Sequence, residues 1–233
     1  MNSNKRVILS WSGGKDSCLS LHRLLENGYE VVGLVTMVSE ADDRNRSHGI
    51  RLNVIKQQAK AIDLPLVMVD AQNLNYEIRL EEALSALRKK HQADAVAFGS
   101  LYIEPERKWN EQVALSSELD PLFPVWIDKR HSLDLLNEWI SLGYQAVVCR
   151  ASDIYFDQSF AGRSLDQTFF NDICGFSDIC PMGENGEYHT FVLDGPIFKQ
   201  KVDIIQSNIV LNNGLWSLDI EKTRLIDKQQ QKI

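Results

Sequence analysis

The chain has 233 residues, 44% of them hydrophobic and 24% charged, with a formal net charge of −7. That length buries one large core, or a core with a smaller companion, and the composition is that of a globular protein. No apolar run approaches the roughly 20 residues that span a bilayer, no signal-peptide core follows the start, and the acidic balance disfavours broad nucleic-acid binding. A cytoplasmic enzyme without membrane attachment is the default expectation. Cys18, Cys149, Cys174 and Cys180 form no C-x-x-C pair, so they read as reduced thiols, not as a disulfide framework or zinc site.

In chain order, residues 7–11 read as a short buried strand and 16–27 as a helix with Leu19, Leu21, Leu24 and Leu25 mostly inward. Gly28 ends that helix. A valine-rich run at 30–38 is a second strand, 48–62 is helical, and 64–69 is a third strand opened by Pro65. Tyr76, Leu80, Ala83, Leu84 and Leu87 repeat at helical spacing. Residues 94–99 form a fourth strand and 122–126 a fifth, before a helix at 132–142 and a strand at 146–149. Wholly apolar strands alternating with amphipathic helices predict an α/β fold with a parallel, Rossmann-like sheet covered on both faces. Such sheets bind ligands at the carboxyl ends of their strands. Beyond residue 150 the texture changes: helical pieces and a Gly/Cys-rich loop fill 156–180, and Asn212-Asn213-Gly214 between two strand-like runs marks a hairpin. The expected division is therefore 1–150 as a nucleotide-binding domain and 151–233 as a smaller α+β substrate domain, with a frayed polar tail at 227–233.

The loop after the first strand reads Ser12-Gly13-Gly14-Lys15-Asp16-Ser17. Glycines let backbone N–H groups approach an anion, and the loop opens onto a helix N-terminus, which favours negative charge. Lys15 beside a positive helix end makes sense once a phosphate lies there, while Asp16 serves as a Mg²⁺ ligand or helix cap. The common mononucleotide signature is absent, because Asp16 replaces the Ser or Thr after the lysine. With each of five fixed letters at roughly 7% abundance, a chance match arises on the order of a few times in ten thousand.

S-G-G-x-D-S after a first strand resembles the PP-loop of the N-type ATP pyrophosphatases. That resemblance implies ATP as substrate, cleavage between the α and β phosphates, and transfer of AMP to a substrate oxygen. It implies that Ser12, Gly13, Gly14, Asp16 and Ser17 cradle pyrophosphate and that Lys15 neutralises developing charge. It also implies that adenine lies near Trp11 and Val35, Thr36 and Met37, and Gly99 at the end of the fourth strand is a further expected ATP-binding residue.

A second motif, GENGEYHTFVLDGPIF at 183–198, packs Glu184, Asn185, Glu187 and His189 between glycines. Two carboxylates, an amide and an imidazole suit a polar site that handles a metal or ammonia. A glycine-rich turn entering a strand explains the same letters, since 188–192 alternates. Together the two motifs resemble the diphthine–ammonia ligase family and its bacterial relatives of unassigned substrate. The likeness extends to Ser47-His48-Gly49, to 121–126 and to 160–166. It implies an ATP-dependent amide-forming ligase that uses ammonia, with Lys15, Asp16, Glu184 and Glu187 catalytic. The acceptor it implies is a carboxylate, on a protein of the elongation factor 2 kind or on a small molecule. Two departures stand out: the family often has Gly-Asp where this chain has Gly99-Ser100, which removes one carboxylate, and the Asp-Pro-Cys-Gly-Glu run is spread over 178–184.

Among further candidates, Arg44, Arg46 and His48 lie in a polar stretch after the second strand that reads either as a lid reaching phosphates or as a solvated loop. Glu104 and Arg107 follow the fourth strand on the ligand side. Arg163 is placed to hold a substrate carboxylate, with Glu184, Asn185, Glu187 and His189 as its neighbours in the acceptor site. Cys18 packs on a leucine-rich face and reads as core. Two other readings remain: a PP-loop enzyme that modifies tRNA, against which the missing C-x-x-C and acidic balance count, and a non-catalytic nucleotide-binding regulator of the universal-stress type. A homo-oligomer is compatible with the sequence.

Overall fold

The computed structural model describes residues 5–71 and 75–228. In order, these residues form β1 (Arg6–Ser10), α1 (Lys15–Glu26), β2 (Glu30–Ser39), β3 (Arg44–Asn45), α2 (Leu52–Ile62), β4 (Leu66–Asp70), α3 (Tyr76–His91) and β5 (Ala95–Ala97). They continue with α4 (Glu104–Ser116), β6 (Asp120–Leu122), α5 (Ser132–Ser141), β7 (Gln145–Ser152), α6 (Gln167–Ile173), β8 (Tyr188–Asp194), β9 (Gln200–Asn212) and β10 (Leu215–Asp227).

Five strands run parallel in the order β4-β2-β1-β5-β6, with β3 antiparallel against the end of β2. The period-2 alternation of β1 sorts its residues between two cores. Val7 and Leu9 pack with α1, α2 and α5 (Leu21, Ile55, Trp139), whereas Ile8 packs with α3 and α4 (Leu84, Val113). The sheet is thus covered on both faces, as its wholly apolar strands require. From β1 the chain moves outward through β2 to β4, then returns to β5 on the other side of β1. The resulting switch point lies between the carboxyl ends of β1 and β5, where such sheets take their ligands.

The second sheet is antiparallel, in the order β8-β7-β10-β9. Its Val148 and Phe191 belong to the same core cluster as Val7 and Leu9, so the two sheets share apolar interior. Asn213 and Gly214 at positive φ (50° and 76°) make the expected hairpin turn between β9 and β10. Arg150, where the sequence reading divides the chain, lies inside β7. Of the expected tail, Asp227 ends β10, and 229–233 lie outside the described residues.

Several elements differ from their sequence expectations. The second helix begins at Leu52, not at 48, because Gly49 (φ 68°) is left-handed and the Asn45 side chain accepts the Ile50 N–H at 2.8 Å. The fifth strand ends at Leu122, since Trp126 turns back to donate to the Phe123 carbonyl at 3.2 Å. Instead of a lid, 40–47 is tied down: Arg44 pairs with Asp219, Arg46 donates to the Ala71 carbonyl and Asn45 to the Ser12 carbonyl. α4 has no counterpart in the sequence reading, because only Asn110, Val113 and Ala114 on it are buried.

Candidate active site

The loop from Trp11 to Gly14 is held from beneath by one side chain. Gln58, fully buried on α2, donates to the carbonyls of Gly13 (2.8 Å) and Val192 (2.7 Å) and accepts from the Trp11 indole (3.0 Å). Gly13 has φ 82°, and a Cβ there would lie 2.7 Å from Gln58 Oε1. At Gly14 the constraint is proximity: a Cβ would sit 2.3 Å from His48 Cε1 and 3.1 Å from the Thr190 carbonyl. The loop is therefore clamped between α2, the segment after β2, and β8. Ser12 Oγ accepts the Gly14 N–H at 3.2 Å, and Ser17 Oγ donates to the Gly14 carbonyl at 3.0 Å.

The two motifs meet here. Lys15 N–H donates to Thr190 Oγ1 at 3.0 Å, joining residues 175 apart in sequence. A cavity of about 320 Å³ opens at this junction, lined by Ser12, Lys15, Asp16, Ser17, Thr36, Met37, His48, Gly99, Glu184 and His189 among others. Gly99 is needed for space, since a Cβ would come within 3.2 Å of the Asp16 carbonyl carbon and the Ser17 nitrogen at the start of α1.

Charge in the cavity is concentrated and poorly solvated. Lys15 Nζ pairs with Asp16 Oδ2 at 2.9 Å and lies 5.2 Å from the centre of the Tyr188 ring. Burial opposes the charge on Lys15, but Asp16 and Glu184 more than offset it, so the ammonium is held. Burial and the neighbouring Asp16 push the Glu184 carboxyl up to about 8. Among the described residues no hydrogen-bond partner meets the buried Asp16 Oδ1. Among the described residues no group of three or more His, Cys, Asp or Glu side chains forms a ready metal cage. A magnesium ion does not require one, because it keeps waters and substrate phosphates in its shell.

His48 and His189 pack against each other at a tilt of 38°, with ring centres 4.7 Å apart. Burial lowers the pKa of both, that of His48 well below the ordinary value and that of His189 to about 4, so both rings are neutral near pH 7. His48 Nδ1 lies 2.8 Å from the Thr190 carbonyl. A carbonyl only accepts, so Nδ1 carries the proton and Nε2 the lone pair.

Other expected site residues lie elsewhere. Val35 is buried in the core, with its carbonyl taken by the Trp11 N–H at 2.8 Å. Glu187 is 1% exposed and caps the 180–185 loop, accepting from the backbone N–H groups of Cys180 (2.6 Å) and Asn185 (2.9 Å) and from the Asn185 amide (3.0 Å). Glu104 is exposed at the start of α4 and does not line the cavity. Arg107 pairs with Glu111 and stacks on Phe123 and Trp126. Arg163 pairs with Asp172 and stacks on Phe160 and Phe169. In their place α4 contributes Glu106, Trp109 and Asn110. Ser100 Oγ donates to Glu106 Oε1 at 2.7 Å and accepts from the Asn110 amide at 3.0 Å. A carboxylate thus stands beside Ser100. A helical reading of 104–116 would have found all three, since positions 106, 109 and 110 share one face at i, i+3, i+4.

Comparison with known proteins identifies the relatives of this chain. The diphthamide synthase N-terminal domain matches residues 5–120 and the diphthamide synthase C-terminal domain matches 131–226. Human diphthine–ammonia ligase is 27% identical over 232 residues, covering 90% of this chain and 86% of its own length. The Schizosaccharomyces pombe ligase is also 27% identical, over 88% of this chain and 37% of its own. A tRNA-specific 2-thiouridylase, MnmA of Nitrosomonas europaea, is 26% identical over 86% of this chain and 48% of its own length. The first motif lies in one matched domain and the second in the other, and both reach the same cavity: the chain belongs to the diphthamide synthase family.

Proposed function

We propose that this protein adenylates a carboxylate at the cavity between its two motifs and then passes the acyl group to ammonia. Its family is one of ATP-dependent carbon–nitrogen ligases of the ATP-pyrophosphatase type. The observation that carries the finer reading is the Lys15–Thr190 contact, which sets the phosphate loop against the 183–190 loop. An acceptor oxygen attacks the α-phosphorus, the bond to pyrophosphate breaks, and an acyl-adenylate forms. Ammonia then adds to the acyl carbon and AMP leaves.

The chain's own groups have separable tasks. Ser12, Gly13, Gly14 and Ser17 receive the leaving pyrophosphate, and Lys15 offsets its charge. Glu184, with its carboxyl near 8, exchanges a proton with ammonium close to neutral pH. Asp16, through its unpartnered Oδ1, would hold Mg²⁺, which when bound neutralises the pyrophosphate oxygens. Thr36 and Met37 flank the adenine, and the neutral histidines border the reacting end. Glu187 and Asn185 shape the 183–190 loop from behind. We place the division of the chain between 120 and 131, which keeps β7 whole, and we place the protein in the cytoplasm. Among the described residues no helix is long and apolar enough to cross a membrane.

Incubation with ATP, ammonium and a panel of carboxylates tests the mechanism: AMP and pyrophosphate are expected, and ADP with phosphate would overturn it. The match to a thiouridylase supports a second reading, action on tRNA, for which RNA retained through purification is the expected sign.

A further inference from the structure

A second cavity, about 530 Å³, lies on the other side of His48, between the β2–β3 segment and the tip of the β9–β10 hairpin. His48 lines both cavities. Three arginines face it, Arg44, Arg46 and Arg150, against two carboxylates, Asp42 and Asp219. Asp219 is already committed, with Arg44 at 3.0 Å and Arg51 at 2.7 Å, and Arg46 donates to the Ala71 carbonyl.

Arg150 differs from the other two. Among the described residues neither a carboxylate nor a hydrogen-bond acceptor pairs with its guanidinium, although the residue is not exposed. The backbone makes room for it: a Cβ at Gly49 would lie 1.9 Å from its Nη2. In the β7–β8 ladder Arg150 stands opposite His189, whose ring lines the first cavity. Keeping a guanidinium half-buried and unpaired is costly unless an anion completes it. Amides of Asn212 and Asn213 at the hairpin tip border the same space. Its volume falls within the range of small-molecule pockets, roughly 300–1,000 Å³.

We propose that this cavity binds the second anionic group, carboxylate or phosphate, of a small dianionic acceptor, with Arg150 as the specificity-determining residue. The acceptor's reacting carboxylate then extends past His48 toward Lys15 and Glu184. This assignment rests on the ligase reading above for the direction of the reacting end, but the anion site itself does not.

Calorimetric titration of the full chain saturated with α,β-methylene-ATP and Mg²⁺ tests it. Glutarate and 3-phosphopropionate, as dianions, are expected to bind about tenfold or more tightly than propionate. Arg150→Met removes that preference, Arg150→Lys restores part of it, and the nucleotide analogue binds all three proteins alike, which shows that they are folded. Equal binding of dianions and propionate, or unchanged dianion binding in Arg150→Met, overturns the proposal. A macromolecular acceptor would produce the first of these results. Failure of the ligase reading shows differently: the analogue does not bind, while the dianions still distinguish wild type from Arg150→Met.

Discussion

His189→Gln isolates the energetic consequence of burying a neutral imidazole beside cations. Burial, reinforced by Lys15 and Arg150 and opposed by Glu187, lowers the His189 pKa from 6.5 to about 4. As pH falls through 6.5 the unfolded chain takes up a proton that the folded chain refuses until about 4, so stability is lost across that window. The loss attributable to His189 is about 2 kcal/mol at pH 5 and approaches about 3 kcal/mol below pH 4. Glu184, whose carboxyl is raised to about 8, has the opposite dependence, with stability falling as pH rises from its ordinary value toward 8. It is common to both proteins and drops out of the comparison. Urea unfolding of wild type and His189→Gln at pH 7 and pH 5 measures the difference. Whatever the substitution costs at pH 7, the variant should gain about 2 kcal/mol on wild type by pH 5. A gap that stays constant with pH would refute the neutral, desolvated state of this histidine.

Other substitutions probe how the site is held. Gly14→Ala places a methyl 2.3 Å from a His48 ring that is itself fixed to the Thr190 carbonyl, so the loop must move. Overpacking of this kind costs about 1–3 kcal/mol, and where the displaced loop is the binding loop it is read as roughly fivefold to 150-fold weaker binding of a non-hydrolysable ATP analogue. Glu187→Ala leaves the Cys180 and Asn185 N–H groups without their acceptor, and denaturant unfolding should show a loss of about 1–3 kcal/mol for each donor left buried. Arg163→Met breaks the pair with Asp172 and its packing on Phe160 and Phe169, away from both cavities. The midpoint of unfolding should fall while the KM values for ATP and acceptor stay unchanged.

The features that could be read from the sequence are those whose physics is local. The first loop and helix follow from glycines, hydroxyls and a helix start within six residues, and Asn213-Gly214 carries its own turn geometry. The parallel sheet follows from runs such as Val7-Ile8-Leu9, apolar at every position because both faces are covered. α4 escaped because only Val113 and Ala114 are buried apolar residues on it, so the helix that brings Glu106, Trp109 and Asn110 to the cavity shows almost no apolar period.

What only the tertiary structure decided is which charges share a space. Glu184 and Glu187 look equivalent in GENGE, yet one faces Lys15 while the other turns inward to hold its own loop. Arg163 looks like a ligand residue in sequence, but Asp172 and two aromatic rings occupy it, whereas Arg150, read only as a domain limit, has an unpaired guanidinium among the described residues. Sequence determines which groups are available within a turn or strand. Long-range packing determines which of them lose water and which partners remain, and electrostatic function depends on both.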